Sequence, residues 1–368
     1  MNSLARLGTA VVLLTSLGAS SEALADGAFY GLLRERDLTP FGFLRLDMRP
    51  AHAVEIETGT WALETTLGYQ NTWALSPNVE KYLTGIEKQG RHELGQADAD
   101  AIRALPGENY LLDVESALLD VAVHYKFSSH WTGYVIGTVI SYQGGFLDST
   151  IEQFHRTFGF STFGRPAAKK NDVNVIYDLK STQVTLFDAP TDGGMTDPTL
   201  GVRYVGVALP KNWQLAAELA VKIPVAGDRV LLSTGKTDYG TQVSLQKFHD
   251  NHAWYLSASA VYYTGSDTPP VAQESQIIPT VVFGYEYKLT ADTNVNLQGY
   301  ISQSVYSHKE TDLDELLGEK YQASIGVRHR FNKQFLFTFG ITENLQNVNN
   351  TPDIGFQLGL AYIPSRRR

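Results

Sequence analysis

The sequence predicts an all-β fold: a transmembrane, antiparallel, up-and-down β-barrel of about twelve strands, with short helices in its external loops. Three observations predict it. Apolar and polar residues alternate with period two along successive segments. Short and long connections between those segments alternate without a break. The N-terminus carries an export signal.

That signal comes first in the chain. Arg6 supplies a positive charge, Leu7 to Leu17 is an apolar or small stretch, and Ala23-Leu24-Ala25 places small residues at both key cleavage positions before Asp26. Residues 1–25 are therefore expected to be a signal peptide cleaved after Ala25, since the apolar run is too short to span a bilayer. Residues 26–58, with Pro40-Phe41-Gly42-Phe43-Leu44, read either as a periplasmic lead-in or as a segment folded into the lumen as a plug.

The barrel proper is expected over 59–363. In the first strand Trp61, Leu63, Thr65, Leu67 and Tyr69 share one parity against Glu64, Thr66, Gly68 and Gln70. Ala117, Leu119, Val121, Val123, Tyr125 and Phe127 oppose Ser116, Asp120, His124 and Lys126. Further on, Trp213, Leu215, Ala217 and Leu219 oppose Gln214, Glu218 and Lys222, and Val281, Phe283, Tyr285 and Tyr287 oppose Thr280, Gly284, Glu286 and Lys288. The last strand sets Ile354, Phe356, Leu358, Leu360 and Tyr362 against Gly355, Gln357 and Gly359. A soluble sandwich alternates too, but its polar face meets bulk water and carries mostly Lys and Glu. Here the polar parity is Gly, Ser, Thr, Gln and scattered charge, while the apolar parity ends in Trp, Tyr or Phe, the aromatic girdles of an outer-membrane barrel.

Strands are expected at 59–74, 112–127, 131–143, 197–210, 212–224, 238–248, 253–265, 276–289, 294–306, 319–331, 335–345 and 353–363. The alternation of short turns and long loops, with an even strand number, puts both chain ends in the periplasm. A further β-prone pair between Asp172 and Asp188 is read as a hairpin inside the long third connection; counted as crossing the membrane, it raises the total to about fourteen. Asn78 to Ala104 has helix-forming composition broken at Gly90 and Gly95, which predicts one or two short external helices. Residues 364–368 form a basic tail expected to stay in the periplasm.

Directly after the third strand, Leu147, Ile151, Phe154 and Phe158 fall on one stripe at helical spacing, with Asp148 or Ser149 as a cap and Gly159 at the stop. This amphipathic helix, with Phe146 before it, is expected to pack against the inner wall or mouth of the barrel and narrow the passage. Asp148, Glu152 and His155 share a neighbouring stripe; such a trio could hold a divalent cation or a proton, but the favoured reading is a capped, solvated polar face, because nothing else nearby adds ligands.

The run Gly144-Gly145-Phe146-Leu147-Asp148, with Ile151-Glu152, Phe154-His155, Phe158-Gly159 and Arg165, resembles the signature of the proteobacterial domain-of-unknown-function family 3187 of outer-membrane-type proteins. Asp197-Pro198-Thr199-Leu200-Gly201-Val202-Arg203-Tyr204, Lys222-Ile223-Pro224 and Gly235-Lys236-Thr237-Asp238 are similar to that family and to the broader group of phenol-degradation meta-pathway barrel proteins. Gly193-Gly194-Met195-Thr196-Asp197 stands where that broader group has a Gly-Leu-Gly-Asp run. The resemblance implies an envelope barrel in the outer membrane and brings no assigned activity or catalytic residues.

Composition removes other classes. With 19% charged residues and no cysteine, the chain is neither a disordered acidic tail nor a disulfide or cysteine–metal scaffold. A formal charge of -9 argues against nucleic acid as a partner. Enzyme motifs are poor: there is no Gly-x-Ser-x-Gly and no His-Glu-x-x-His, since His92-Glu93 lacks the second histidine. No cofactor or metal is expected.

Glu64, Asp120, Glu218 and Glu286 oppose Arg203, Lys222, Lys288, Arg328 and Arg330 on the lumen parity, with His124 able to titrate. Such charges either pair across facing strands and brace a narrow, partly filled barrel or line a passage; their balanced signs disfavour strong ion selectivity. The expected role is a channel or facilitated transporter for small solutes, with apolar or aromatic ones favoured. Outer-membrane lipid and the barrel-assembly machinery are the expected partners. A lipid-modifying enzyme drawing on His124, His155, His329 or Ser141, and a structural surface barrel, are the alternatives.

Overall fold

The computed structural model describes residues 29–37, 41–50, 56–189, 193–227, 229–346 and 353–364. The expected signal peptide, and residues 365–368 of the basic tail, lie outside the described residues. The chain folds into β1 (Trp61–Leu75), β2 (Asn109–Lys126), β3 (Trp131–Gln143), β4 (Asn174–Leu179), β5 (Thr182–Leu186), β6 (Gly194–Met195), β7 (Thr199–Leu209) and β8 (Trp213–Lys222). It continues through β9 (Asp238–His249), β10 (His252–Tyr263), β11 (Gln276–Lys288), β12 (Thr293–Ser302), β13 (Lys320–Arg330), β14 (Phe335–Gln346) and β15 (Ile354–Tyr362).

β1 closes the sheet by pairing with β15, from Leu63↔Tyr362 to Asn71↔Ile354. The closed ring runs β1, β2, β3 and then β7 through β15, all antiparallel, which is the twelve-stranded up-and-down barrel that the alternation predicted. Closure leaves no barrel strand with an open edge, the condition for spanning lipid.

The period-two pattern sorts as the physics requires except on β3, where Tyr134, Ile136, Ile140 and Tyr142, which alternate with Gly133, Gly137, Ser141 and Gln143 and were expected to face lipid, are buried inward while Val135 and Val139 are exposed. Leu67, Leu119, Val121, Val123, Val135 and Leu358 are exposed on the outer face, and Gln70, Asp120, Thr138, Gln242, Asn296 and Ser324 are buried on the inner one. Trp61 and Tyr69 bracket the belt on β1, about 26 Å apart along the strand and about 20 Å along the axis once a tilt near 40° is allowed for. Trp61 packs on Tyr362 at one rim, and Tyr239 pairs across strands with Tyr262 at the other.

The β4–β5 hairpin does not join the ring. β4 pairs with the first residues of β2, Asn109↔Asp178 to Asp113↔Asn174, so the hairpin extends β2 beyond the barrel rim. This extension has two covered faces. On its outer face Trp73, Leu75, Leu111 and Ile176 pack under α1 (Pro77–Ile86) and α2 (Gln96–Arg103) through Val79, Leu83, Ala99 and Ile102. These are the two short external helices expected over 78–104. On its inner face Tyr110, Leu112, Val114, Val175 and Tyr177 join Phe41, Phe43 and Leu44 from the N-terminal segment. Leu231, Leu232, Val271 and Leu316 complete that cluster from other loops; Leu316 belongs to a single-turn helix, Asp314–Leu317.

Candidate functional site

The candidate site is the barrel interior, and the N-terminal segment runs through it. Residues 29–37 and 41–50 are almost wholly buried; they are tied to each other, Arg34 to the Pro50 carbonyl, Arg36 to the Phe43 carbonyl and Arg45 to Asp37, and to inward-facing residues of the strands. An extended segment has no ladder partner of its own, so its N–H and C=O groups must find side chains on the wall. Tyr30 and Gly31 donate their backbone N–H to Glu286 at 2.7 and 3.0 Å, and Leu46 donates to Asp238 at 2.9 Å. In the other direction, Asn296 and Gln242 donate to the carbonyls of Gly31 and Arg49, each at 2.9 Å. Lys222 donates to the carbonyl of Leu44 at 2.9 Å. Arg328 donates to the carbonyls of Tyr30, Gly31 and Leu32.

Ion pairs add to this. Arg34 lies 3.3 Å from Glu64, and Asp120 holds both Arg36 and Arg49 at 2.9 Å. Asp37 sits between Arg45 at 3.1 Å and Lys320 at 3.2 Å. Glu35 accepts from Gln298 at 2.7 Å and Thr342 at 3.2 Å. Buried charges of this kind are tolerable only when paired and hydrogen-bonded. Arg34, Arg36 and Arg49 of the segment and the carboxylates of the wall supply each other's counter-charge, and Arg45 is met by Asp37 and Asp47 within the segment.

Apolar side chains of the segment are received by glycines. A Cβ on Gly240 would lie 2.6 Å from the Met48 sulfur and 2.9 Å from a Leu46 methyl, and one on Gly326 would lie 2.7 Å from a Leu33 methyl. Glycine on the inward parity therefore makes room for the segment as well as for the strand's own twist.

All ten lumen positions read from the alternation, namely Glu64, Asp120, His124, Arg203, Glu218, Lys222, Glu286, Lys288, Arg328 and Arg330, sit on the inward parity. Arg203 pairs with Glu218 at 2.5 Å, and Tyr134 donates to the same carboxylate at 2.7 Å. His124 lies 3.5 Å from Glu64. Lys222 pairs with Asp238 at 2.9 Å, Lys288 lies over the Phe29 ring and Arg330 over the Tyr30 ring. Sequence reasoning missed the other half of these contacts: Arg34, Arg36, Arg45 and Arg49, alternating with Glu35, Asp37 and Asp47, had no strand periodicity to mark them. Their signal was the density of charge in a segment that also carries Phe41 and Phe43.

The loop helix is placed differently from the expectation that it narrows the passage. α3 (Asp148–Phe158) is fastened at the barrel rim to the outward parity of the sheet, through Asn71 of β1 to Asp148 and Glu115 of β2 to the turn before it. Gly145, at φ 73°, turns the chain outward over Glu115, which accepts the N–H groups of Phe146 and Leu147 at 3.0 and 2.7 Å. Phe146 stacks on the outward-facing Tyr69 with ring centroids 5.1 Å apart. Leu147 and Ile151 are buried, whereas Phe154 and Phe158 are exposed. What covers the barrel mouth instead is the apolar cluster of Phe41, Phe43 and Tyr142 with the β2–β4 extension.

Asp148, Glu152 and His155 are neither a solvated face nor a joint site. Asp148 pairs with the buried Arg165 at 2.5 Å rather than capping its helix. Glu152 takes Arg91 at 2.5 Å and Lys170 at 3.2 Å, and His155 Nδ1 lies 2.7 Å from the Ser161 carbonyl. Burial opposes ionisation of Glu152, but its bonds to Arg91 and Lys170 outweigh this and hold its carboxyl below the usual range. Among the described residues no group of three His, Asp or Glu side chains is arranged to hold a metal ion. His124 faces inward, while His329, bound to Thr293 at 2.9 Å, and Ser141 lie on the outward parity.

A family profile described as "Protein of unknown function (DUF3187)" matches residues 9–363. No curated protein matches the chain. Among solved structures it is similar to the COG4313 outer membrane channel from Pseudomonas putida F1, at 12% identity and a TM-score of 0.48 over 84% of this chain and 96% of that one. It is also similar to the Ralstonia pickettii toluene transporter TbuX, at 10% identity and a TM-score of 0.36 over 84% and 90%. A third likeness is to the NanC porin, at 7% identity and a TM-score of 0.43 over 82% and 100%.

Proposed function

The chain belongs to the DUF3187 family, and we propose that it is an outer-membrane channel for small solutes whose lumen is held shut by its own N-terminal segment. The carrying observation is the way that segment is fastened: Arg34, Arg36, Arg49 and Asp37 grip Glu64, Asp120 and Lys320 through charges that solvent could also satisfy. A wall built to be permanently filled would gain more from well-packed apolar residues than from buried ion pairs, whose desolvation offsets most of their attraction. Ion pairs between a tail and a wall suit a plug that comes and goes.

The solute reading follows from the outer mouth. Phe41, Phe43, Tyr110, Tyr142 and Tyr177 form a dry aromatic cluster at the end of the lumen, a surface that favours apolar or aromatic solutes over ions. The export signal over 1–25 and the lipid-facing belt support placement in the outer membrane after insertion by the assembly machinery, with the basic tail in the periplasm.

The test is single-channel conductance of the refolded mature protein beside a variant lacking residues 29–50, with uptake of a small aromatic solute measured in liposomes. Steady conductance and uptake in the truncated form, against closure in the full form, are expected. Silence in both, from protein shown to be folded by heat-modifiable gel migration, would replace the channel with a filled structural barrel.

A further inference from the structure

α3 turns its aromatic side away from the protein. Phe146, Phe154, Phe158 and Phe160 are 65%, 47%, 63% and 56% exposed. Three of them are contiguous: Phe154 lies 4.7 Å from Phe158 and 6.0 Å from Phe160 between ring centroids. Isolated exposed phenyl rings need no explanation, but a contiguous group of them on a helix and the turn that follows it marks an interaction surface.

The helix that presents this group is firmly seated. Asp148 and the buried Arg165 pair beneath it, Arg165 also bonds Asp353 and lies over the Trp73 ring, and Glu115 holds the turn that enters it. The aromatic face is therefore displayed in a set orientation. It adjoins the lipid-facing belt, because Phe146 stacks on Tyr69, and Tyr69 shares its strand parity with Leu67 and pairs with Phe356. Beside the face lie Arg156, whose side chain is exposed, and the half-buried Lys170, while their partner Glu152 is buried beneath them.

We propose that α3 with its flanking residues is an interfacial anchor whose phenyl rings, Phe154 and Phe158 on the helix and Phe146 and Phe160 beside it, enter the outer leaflet beside the barrel, with Arg156 and Lys170 meeting the phosphate groups of the surrounding lipid. This rests on the membrane placement proposed above. An amphipathic helix lying in the interface with an aromatic face down and basic side chains at the headgroup level is the arrangement that binds anionic leaflets. Continuity with the belt selects lipid over a second copy of the chain, since Phe146 stacks directly on Tyr69 at the belt's edge.

The chain has no cysteine, so a single one can be labelled without disturbing a native thiol. The full mature protein carrying Phe158→Cys or Phe160→Cys is labelled with an environment-sensitive fluorophore and reconstituted in phosphatidylethanolamine–phosphatidylglycerol vesicles. Leu67→Cys on the belt and Lys81→Cys on the exposed side of α1 serve as references. Labels at 158 and 160 should be quenched by spin-labelled acyl chains about as strongly as at 67, and be about threefold less accessible to aqueous iodide than at 81. Charge reversal of Arg156 and Lys170 should reduce acyl quenching in these anionic vesicles and leave it unchanged in phosphatidylcholine. Labels at 158 and 160 that behave like 81 while 67 is quenched would overturn the anchor. Self-quenching that rises with protein density would overturn it in favour of a second copy. If 67 also fails to be quenched, the membrane placement itself falls.

Discussion

Asp120 on the barrel wall and Arg49 of the N-terminal segment meet at 2.9 Å in the interior, and the same carboxylate holds Arg36 at an equal distance. One wall residue thus ties together two stretches of the segment separated by residues 38–40. Removing it strands two buried guanidinium groups at once, a loss of about 3–5 kcal/mol for the docked segment. Asp120→Ala should therefore release the segment without unfolding the barrel. Protease cleavage within 29–50 and channel opening in a planar bilayer, with unchanged heat-modifiable migration, are the readouts; a closed and protected D120A protein would refute the ionic latch.

Gly240 offers an independent way to lift the segment. Its missing side chain is the space occupied by Met48 and Leu46. Gly240→Val should displace both and raise conductance, with overpacking costing about 1–3 kcal/mol. Gly137 has open space beyond its Cα, so Gly137→Val is the matched control and should leave conductance at the wild-type level.

Deletion of residues 145–165 distinguishes an external helix from a constriction. Because α3 is fastened to the outward parity, its loss should not open the channel, although binding to anionic vesicles should weaken. An increase in conductance on deletion would restore the helix to the passage.

Arg165 joins Asp148, Asn71 and Asp353 under α3 while lying 4.9 Å from the Trp73 ring centroid. Arg165→Ala leaves buried carboxylates without their cation and should cost the loop about 3–5 kcal/mol. Arg165→Lys should recover only part of this, because an ammonium cannot fork between several partners or stack on the ring as a guanidinium does. Amide hydrogen exchange over 144–172 is the measurement, and equal protection in both variants would show that the pairing is dispensable.

Acid should loosen the same helix. Glu152, facing Arg91, Arg156 and Lys170, has a carboxyl held below its ordinary value, so its contribution is complete above the unfolded value of about 4.3 and is lost as pH falls through the lower folded value. A fluorophore on α3 should report detachment over that acid range. Glu152→Gln should show no such acid transition, and a transition that persists in E152Q would assign it to another group.

The barrel was legible because its cause is local. Alternation along β1 or β15 states which side of each residue meets lipid, and a strand's length and the turn after it follow from a handful of neighbouring residues. Closure needs no further information once alternating short and long connections fix the order, and the hairpin at 172–188 was placeable because it interrupts that rhythm. The lumen parity was equally plain: Glu64, Asp120 and Arg328 face inward because Leu63, Val121 and Val327 face outward.

What the sequence did not determine is what those charges face. Arg36 is 84 residues from Asp120, and Tyr30 is 256 from Glu286. Such pairs arise only when closure brings the tail into the ring, and an extended segment with no repeat of its own carries no record of its partners. The amphipathic stripe of α3 likewise shows that one face will be covered but not by what. Asp148 could have capped its helix; it went instead to Arg165, because tertiary folding placed a buried guanidinium within reach, and an unpaired buried charge costs more than an empty cap. Sequence periodicity set the wall of this protein; tertiary contacts decided its filling and the side of the wall on which its aromatic helix lies.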